Sequence, residues 1–363
     1  MNDIFEERRD TPLASKIKRQ INENGCLSVA RYMEMCLYDP EYGYYIKQPI
    51  LGGKGDFITA PEISQIFGEL IGLWCSVVWE QMKSPGRLNL VELGPGRGTL
   101  MLDVLRAARI NSKFSRALSV HLVEMSPILE KIQKETLKET HFNLTWHEIL
   151  KTVPDGPTIL IANEFLDTFP VNQNIFDGDT WFERLVGTED QKRLVFLVKD
   201  KNGEIISKLS GDGILKIQES QDHTKILQEL STRILKHPLA ALFIDYGYEK
   251  PTFGETLQAI RVHTPEHPLC SPGEADLSAQ VDFACFKSQA INYGFEIDGP
   301  LSQSDFLLHL GIVERCSRLM KDNPLKAAQI EGDVMRLISA NGMGIRFKVI
   351  CLRTANLPKL INS

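Results

Sequence analysis

The stretch Leu88-Asn-Leu-Val-Glu-Leu-Gly-Pro-Gly-Arg-Gly98 decides the fold of this chain. Its first six residues form a mostly apolar run without strict alternation, which is typical of a strand buried on both faces of a parallel sheet. Three glycines follow within five positions, and an apolar pattern with helical spacing continues through Leu105. The sequence therefore predicts a buried strand, a glycine loop and a helix in succession, which is the context of a nucleoside-binding site.

The spacing of the glycines distinguishes between two kinds of cofactor. Gly94, Gly96 and Gly98 would provide a tight turn, close approach of the backbone to a ligand, and close packing of helix on strand. A dinucleotide fingerprint has its third glycine at position 99, where this sequence has Thr99. The third glycine stands one residue earlier, which favours a methyltransferase loop that binds S-adenosylmethionine over the loop of a nicotinamide dehydrogenase. A glycine turn without any ligand is the structural alternative.

Strands and helices alternate on both sides of this loop. A run of apolar segments with strand character is separated by helical patterns and short connections. Such alternation predicts an α/β fold with a mostly parallel, Rossmann-like sheet and helices on both faces. The last two strands could form an antiparallel edge. The predicted elements after the first strand are strands at 118–123, 143–146, 158–162, 240–245, 295–297 and 347–352, and a helix at 127–137.

The alternation of strands and helices is absent before the predicted sheet and is interrupted within it. Residues 1–85 have helical spacing and cap signals, and they predict a helical extension that covers the active site. Residues 171–237 contain two β-rich runs and the hairpin turn at 201–203, and they predict an antiparallel insertion. The core domain is then expected to comprise residues 86–170 and 238–363.

Composition excludes several classes of function. The formal net charge is −6, so there is no overall basic field that would hold nucleic acid. No apolar stretch reaches the length of a membrane span, and the seven cysteines contain no Cys-x-x-Cys pair. His263 and His267 flank Pro265, which disfavours a helix that would align both rings, so no metal site is predicted.

The N-terminal sequence bears on location. It has no signal-peptide pattern, and four acidic residues among the first ten argue against a transit peptide. The sequence therefore predicts a protein of the bacterial cytoplasm. The alternative is a mature or trimmed protein of the mitochondrial matrix in a eukaryote.

Two glutamates strengthen the nucleoside interpretation. Glu124 ends the second predicted strand, at the edge where α/β sheets bind ligands, and its carboxylate could accept both ribose hydroxyls. Glu92 lies in a run that looks buried, and a carboxylate there would suit a cationic sulfonium ligand. With Asn163 at the end of the fourth strand, the predicted cofactor-binding residues are Glu92, Gly94, Gly96, Gly98, Glu124 and Asn163.

At several further stretches the chain closely resembles the MidA-like family of class I methyltransferases. These stretches run from the N-terminal helices to the C-terminus, and together they are far more specific than the glycine loop. Two positions depart from the family pattern, at Gln280 and at Ser302-Gln-Ser304. The matching stretches include residues 55–64, 67–72, 91–100, 121–127, 162–165, 245–247, 281–283, 310–312 and 343–348.

The resemblance implies transfer of a methyl group from S-adenosylmethionine to an arginine of a partner protein, for which it suggests a subunit of respiratory complex I. A guanidinium is a poor nucleophile until carboxylates localise its charge and accept a proton. Glu164 and Asn163, after the fourth strand, are the expected catalytic residues, with Asp56 and Glu62 covering the site from above. Asp167 and Asp245 are weaker candidates. A non-catalytic assembly chaperone with the same fold is the alternative function.

Overall fold

The computed structural model describes residues 8–47, 59–206, 216–250 and 252–361. Its helices are α1 (Pro12–Asn24), α2 (Val29–Tyr38), α3 (Tyr44–Lys47), α4 (Ala60–Ile63), α5 (Gln65–Gln81), α6 (Thr99–Ala108), α7 (Ser112–Ala117), α8 (Pro127–Leu137), α9 (Thr224–Ile234), α10 (Phe283–Asn292), α11 (Gln303–His309), α12 (Ile312–Asp322) and α13 (Ala327–Ile338). Short 3₁₀ turns lie at Leu150–Thr152, Leu166–Thr168 and Pro324–Lys326.

The strands belong to three sheets. They are β1 (Leu27–Ser28), β2 (Leu88–Leu93), β3 (Leu118–Val123), β4 (Leu144–His147), β5 (Thr158–Asn163), β6 (Val171–Phe176), β7 (Trp181–Glu189), β8 (Arg193–Lys199), β9 (Ile205–Ile206), β10 (Lys216–Gln221), β11 (Leu239–Tyr248), β12 (Gln258–Arg261), β13 (Thr264–Glu266), β14 (Asp276–Ser278), β15 (Val281–Asp282), β16 (Glu296–Ser302) and β17 (Phe347–Arg353).

The central sheet has the order β16-β17-β11-β5-β2-β3-β4, with β15 pairing to β11 at one end. The strands from β11 to β4 in this order are parallel to one another, and β17 runs antiparallel to both β11 and β16. Along the chain, β3 and β4 are added on one side of β2, and β5 and then β11 are added on its other side. Because the strand order reverses between β2 and β5, their carboxyl ends form the topological switch point where open α/β sheets bind ligands.

Both faces of the central sheet are covered, as the sequence predicts for a Rossmann-like domain. One face packs against α5, α6 and the C-terminal helices α11 to α13. The other face packs against α9 and α10. Alternate residues of β2 supply the two cores, since Leu88 and Leu90 belong to the first and Val91 and Leu93 to the second. The prediction of an α/β sheet with an antiparallel edge is confirmed, although β16 and β17 extend further than expected.

A second sheet lies in the region predicted as an insertion. Its strand order is β10-β6-β7-β8-β9, and each neighbouring pair is antiparallel. The short strand β1, from the N-terminal region, pairs with β7 in the same sheet. The sequence analysis did not predict β1, because two residues before a helix carry no detectable alternation.

The N-terminal region does not pack as a single extension. Buried residues of α1 and α2 share a core with β6 to β8 and with the small sheet β13-β12-β14. In contrast, α5 packs on α6 and so belongs to the core of the central sheet. The small sheet comes from residues 258–278, which the sequence analysis assigned to the central domain. We call the unit formed by α1, α2, α3, the second sheet and the small sheet the upper lobe.

Local sequence signals explain where the N-terminal helices begin and end. The Thr11 hydroxyl accepts a hydrogen bond from the Ala14 backbone N–H at 3.0 Å, and Pro12 occupies the first helical position. Gly25 ends α1 with a φ of 89°. Ser28 caps α2 in the same way, through the N–H of Arg31. None of the helices in the described part of the chain is long and apolar enough to cross a membrane.

Candidate active site

A cavity of about 1440 Å³ opens at the switch point, between the carboxyl ends of the central strands and the upper lobe. The structure brings most of the predicted site residues to its wall. Gly98 is not among the lining residues, and Asp56 lies outside the described residues together with the glycine-rich loop around it. The predicted residues that line the cavity are Glu62, Glu92, Gly94, Gly96, Glu124, Asn163 and Glu164.

The glycine loop requires backbone angles that favour glycine. Gly94 and Gly96 have φ of 59° and 55°, in the left-handed region where a Cβ is strained. A Cβ on Gly94 would also lie 3.2 Å from the ring of Phe165. Both positions therefore require glycine, and at Gly94 the absence of a side chain lets the loop lie close to Phe165, after β5.

Glu124 lies directly after β3 and is held by a defined network. One carboxylate oxygen accepts the backbone N–H of Ser126 at 2.8 Å, and the other accepts the side-chain amide of Gln133 at 2.9 Å. The same Gln133 nitrogen donates to the Gly96 carbonyl at 2.8 Å, and its oxygen accepts the Trp146 indole N–H. An ionised carboxylate has about four lone-pair sites, so acceptor capacity remains for ribose hydroxyls.

Gln133 is a site residue that the sequence analysis missed. It lies on α8 and is completely buried, yet it joins the glycine loop to Glu124. The only sequence signal is a polar residue at a position of the helix that faces the core. Without the tertiary contacts, that residue cannot be distinguished from one on a solvated helix face.

Glu92 has a buried carboxylate that is not fully satisfied. Its side chain is 2% exposed, and within the described part of the chain its Oε2 atom has no hydrogen-bond partner. Burial, with a further contribution from the negative charge of Glu124, raises the pKa of Glu92 to about 8. A buried carboxyl group beside the glycine loop, which a nearby positive charge would ionise, is suited to a ligand that carries positive charge.

Asn163 and Glu164 form the turn that follows β5. Glu164 has a φ of 51°, a strained value for a residue other than glycine. Its Oε1 atom accepts the Asn163 side-chain amide at 3.2 Å and the Ala60 backbone N–H at 3.4 Å. Burial raises the pKa of Glu164 to about 7, and the nearby charge of Glu62 adds to this effect. The pKa of Glu164 therefore lies near neutral pH, a range that suits the exchange of protons.

The remaining acidic candidates have different surroundings. Glu62 lies on α4 and forms an ion pair with Arg97 of the glycine loop at 3.4 Å. Asp245 lies on β11, and its Oδ2 atom accepts the backbone N–H groups of residues 165, 166 and 167. Asp245 therefore supports the turn that carries Glu164, and this role differs from direct contact with a substrate.

The residues around the loop fit S-adenosyl-L-methionine. Glu124 has acceptor capacity for the ribose hydroxyls, and Glu92 has an oxygen without a partner among the described residues, which would suit a cation. Gly94 and Gly96 present backbone to the cavity. No group of three or more histidine, cysteine, aspartate or glutamate side chains in the described ranges is arranged to hold a metal ion.

Comparison with known proteins agrees with this geometry. Residues 70–301 match the profile of a family described as S-adenosyl-L-methionine-dependent methyltransferases. The chain is 36% identical to the zebrafish (Danio rerio) mitochondrial protein arginine methyltransferase NDUFAF7, over 96% of this chain and 87% of that protein. It is 34% identical to the human protein of the same name, over 94% of this chain and 83% of its relative.

A crystal structure of a Burkholderia thailandensis protein bound to S-adenosyl-homocysteine has the same fold. It superposes with a TM-score of 0.82 at 24% identity, and the match covers 97% of this chain and 96% of the other. The family profile covers the glycine loop, Glu124 and the Asn163-Glu164 turn, and the curated relatives align along nearly the whole length. The chain therefore belongs to the MidA-like family of S-adenosyl-L-methionine-dependent methyltransferases.

Proposed function

We propose that this protein transfers a methyl group from S-adenosyl-L-methionine to an arginine side chain of a partner protein. The observation that carries the proposal is the Asn163-Glu164 turn, whose carboxylate faces the same cavity as the glycine loop. The curated relatives support the choice of acceptor, because they are named as protein arginine methyltransferases. The cavity is large enough to admit an extended side chain beside a nucleoside.

S-adenosyl-L-methionine supplies an electrophilic methyl carbon attached to a sulfonium leaving group. The protein then has to hold the acceptor nitrogen in line with that carbon and exclude water from the site. The Glu124 network and the glycine loop would fix the nucleoside. The turn after β5 would fix the acceptor, since β5 pairs with β2, the strand that leads into the glycine loop.

Glu164 would act as the proton acceptor in this reaction. A new bond from the methyl carbon to a guanidinium nitrogen would leave two positive charges on the acceptor. That nitrogen therefore loses a proton, which Glu164 would take. With a pKa near 7, Glu164 is ionised in a substantial fraction of molecules at neutral pH.

The partner and the location rest on the relatives alone. The family resemblance suggests a subunit of respiratory complex I as the protein acceptor. The curated relatives are named as mitochondrial proteins, which supports a mitochondrial location in a eukaryotic host. They do not support the cytoplasmic location that we expected from the sequence.

The test is to find the acceptor and then remove the charge of Glu164. Incubation of cell lysate with tritiated S-adenosyl-L-methionine and the enzyme, followed by mass spectrometry, identifies the labelled residue. In single-turnover assays on that acceptor, Glu164→Gln should be slower by about 10²–10⁴-fold, the usual contribution of a positioned proton acceptor. The wild-type rate should rise with pH through about 7, because only the ionised Glu164 accepts a proton, and the variant should lose this dependence.

Glu34→Gln provides the matched control. Glu34 also lines this cavity, but its side chain is 47% exposed and pairs with Arg31, so its substitution should leave the rate unchanged. A label on a residue other than arginine would contradict the proposed acceptor. If wild type produces no methylated product and Glu164→Gln still supports assembly of the partner, the protein is a chaperone instead.

A further inference from the structure

Beyond the Glu164 turn, two tyrosines from the N-terminal helices line the cavity. The rings of Tyr38 and Tyr45 are stacked, with centroids 5.9 Å apart. The Tyr38 hydroxyl donates to the Thr168 hydroxyl at 2.8 Å, and the Tyr45 hydroxyl donates to Asp276 at 3.0 Å. These hydrogen bonds fix both rings, so the upper lobe presents a rigid aromatic surface to the site.

Asp167 lies in the 3₁₀ turn next to this aromatic pair. The carboxylate of Asp245 holds this turn by accepting three backbone N–H groups, and that of Asp167 has no such role. Asp167 is 8% exposed and lines the cavity, and its Oδ1 atom has no hydrogen-bond partner in the described ranges. Its backbone is held from two sides, because its N–H donates to Asp245 and its carbonyl accepts the N–H of Ala279. An unpartnered carboxylate oxygen is thus held in a fixed position within the cavity.

The charges around Asp167 are negative. Burial and the carboxylates of Asp245, Asp276 and Glu164 all raise the pKa of Asp167 well above its ordinary range. Like charges gathered in a buried place are costly, so such carboxyl groups hold their protons until a cation replaces them. The cavity therefore has, beside the Glu164 turn, a place that favours a positively charged ligand group.

The shape of this place favours a guanidinium over an ammonium. A guanidinium is flat, it stacks on aromatic faces, and its five N–H donors can be shared among several carboxylates. An ammonium is a compact, strongly hydrated charge that uses stacked rings less well. Tyr38, Tyr45, Asp167 and Asp276 supply stacked aromatic side chains and carboxylates within one wall of the cavity.

We propose that Asp167, together with Tyr38, Tyr45 and Asp276, forms the subsite that holds the guanidinium of the acceptor arginine. This inference rests on the proposed function and adds the residues that would select the acceptor. Glu164 would take the proton, while Asp167 would hold the charge of the group that loses it.

A pair of bisubstrate ligands tests the subsite without knowledge of the acceptor protein. In both ligands an alkyl chain extends from the 5′ position of adenosine toward the acceptor. The chain ends in a guanidine in one ligand and in a urea of the same shape in the other. Calorimetric titration should show that wild type binds the guanidine ligand at least about tenfold more tightly, since charge-assisted hydrogen bonds are the stronger kind. Asp167→Asn should remove most of that preference and leave the affinity for S-adenosylhomocysteine unchanged.

Asp222→Asn is the matched control, because Asp222 lines the same cavity but is exposed and accepts the backbone N–H of Thr224. It should keep the preference for the guanidine ligand. Equal affinity of wild type for the two ligands, or an undiminished preference in Asp167→Asn, would overturn the subsite. These outcomes are independent of the labelling experiment, in which a methylated residue other than arginine would overturn the proposed function.

With the acceptor in hand, steady-state kinetics provide a second readout. Asp167→Asn should raise KM for the acceptor more than it lowers kcat, because the subsite binds the group without taking its proton. The opposite pattern, with kcat reduced and KM unchanged, would assign Asp167 to the chemical step and contradict the binding role.

Discussion

Three glutamates of the site differ in what surrounds their carboxylates. Glu124 accepts hydrogen bonds on both oxygens, Glu164 accepts two on one oxygen, and Glu92 has an oxygen without a partner in the part of the chain that the structure describes. Burial raises the pKa of each of them. These differences suggest distinct tasks: Glu124 would hold neutral hydroxyls, Glu92 a cation and Glu164 a proton.

The raised pKa of Glu92 predicts that binding of S-adenosyl-L-methionine releases a proton. At pH 7 the free protein holds Glu92 mostly protonated, since its pKa is about 8. A cationic ligand favours the ionised form, so up to about one proton should leave on binding, and affinity should rise as pH approaches 8. Calorimetry at pH 7 in buffers of different ionisation enthalpy measures the number of protons released.

Glu92→Gln is the informative variant for this measurement. It keeps the size of the side chain but cannot ionise, so binding should be weaker, should release no proton and should not depend on pH between 7 and 8. Above pH 8 the wild-type release should also disappear, because Glu92 is then ionised before the ligand arrives. Undiminished proton release by the variant would assign the proton to another group.

Among the elements, α5 and α6 show how closely the N-terminal region packs on the central domain. Gly68 and Gly72 of α5 face α6, and a Cβ on Gly72 would lie 2.6 Å from the Val104 carbonyl oxygen and 2.8 Å from the Ala107 Cβ. Glu69, which lies between them, pairs with Arg315 of α12 at 2.8 Å. The helix is thus fixed by close backbone contact on one side and by an ion pair on another.

Gly72→Ala should destabilise the protein by about 1–3 kcal/mol, because the added methyl group forces the two helices apart in a closely packed core. Gly332→Ala is the control. Gly332 lies within α13, and a Cβ there would meet nothing within 4 Å. That substitution should stabilise the protein by about 0.5–1 kcal/mol, since alanine is the better helix former. Urea denaturation followed by circular dichroism measures both, and a stable Gly72→Ala protein would argue against the close helix contact.

At the scale of the whole molecule, the cavity is a joint product of both lobes. The central sheet supplies the glycine loop, Glu124 and the Glu164 turn at the carboxyl ends of its strands. The upper lobe supplies Tyr38, Tyr45 and Asp276 from elements far apart in the chain. A ligand that spans the cavity therefore contacts both lobes and should stabilise the folded molecule as a unit.

S-adenosylhomocysteine should raise the melting temperature of the wild-type protein. At a ligand concentration of 100 times Kd, binding to the folded state adds about 2.7 kcal/mol of stability. Gly96→Val should lose this shift, because a branched side chain is strained at a φ of 55° and would occupy the ligand side of the loop. Differential scanning fluorimetry of both proteins, with and without ligand, measures the shift, and an equal shift in the variant would place the ligand elsewhere.

The sequence by itself determined the central domain and its cofactor edge. The mostly apolar run at Leu88–Leu93 is typical of a buried strand, and the glycines at 94, 96 and 98 after it leave few alternatives for the loop. Strand ends are local features, so Glu124 and the Asn163-Glu164 turn could be located from the chain pattern. Capping residues such as Thr11 and Ser28 act on their own helix, so a local sequence signal is enough to indicate where each helix begins.

Only the tertiary structure decided how distant segments meet. Gln133 acquires its role from contact with Gly96 and Glu124, and no local pattern records that contact. Likewise, the pairing of β1 with β7 places part of the N-terminal region in a different core from α5. Tyr38 and Tyr45 thereby lie next to the turn at 166–168, more than 120 residues away in the chain. The physical reason is that periodicity reports which face of an element is buried, whereas the partner of that face depends on packing across the whole chain.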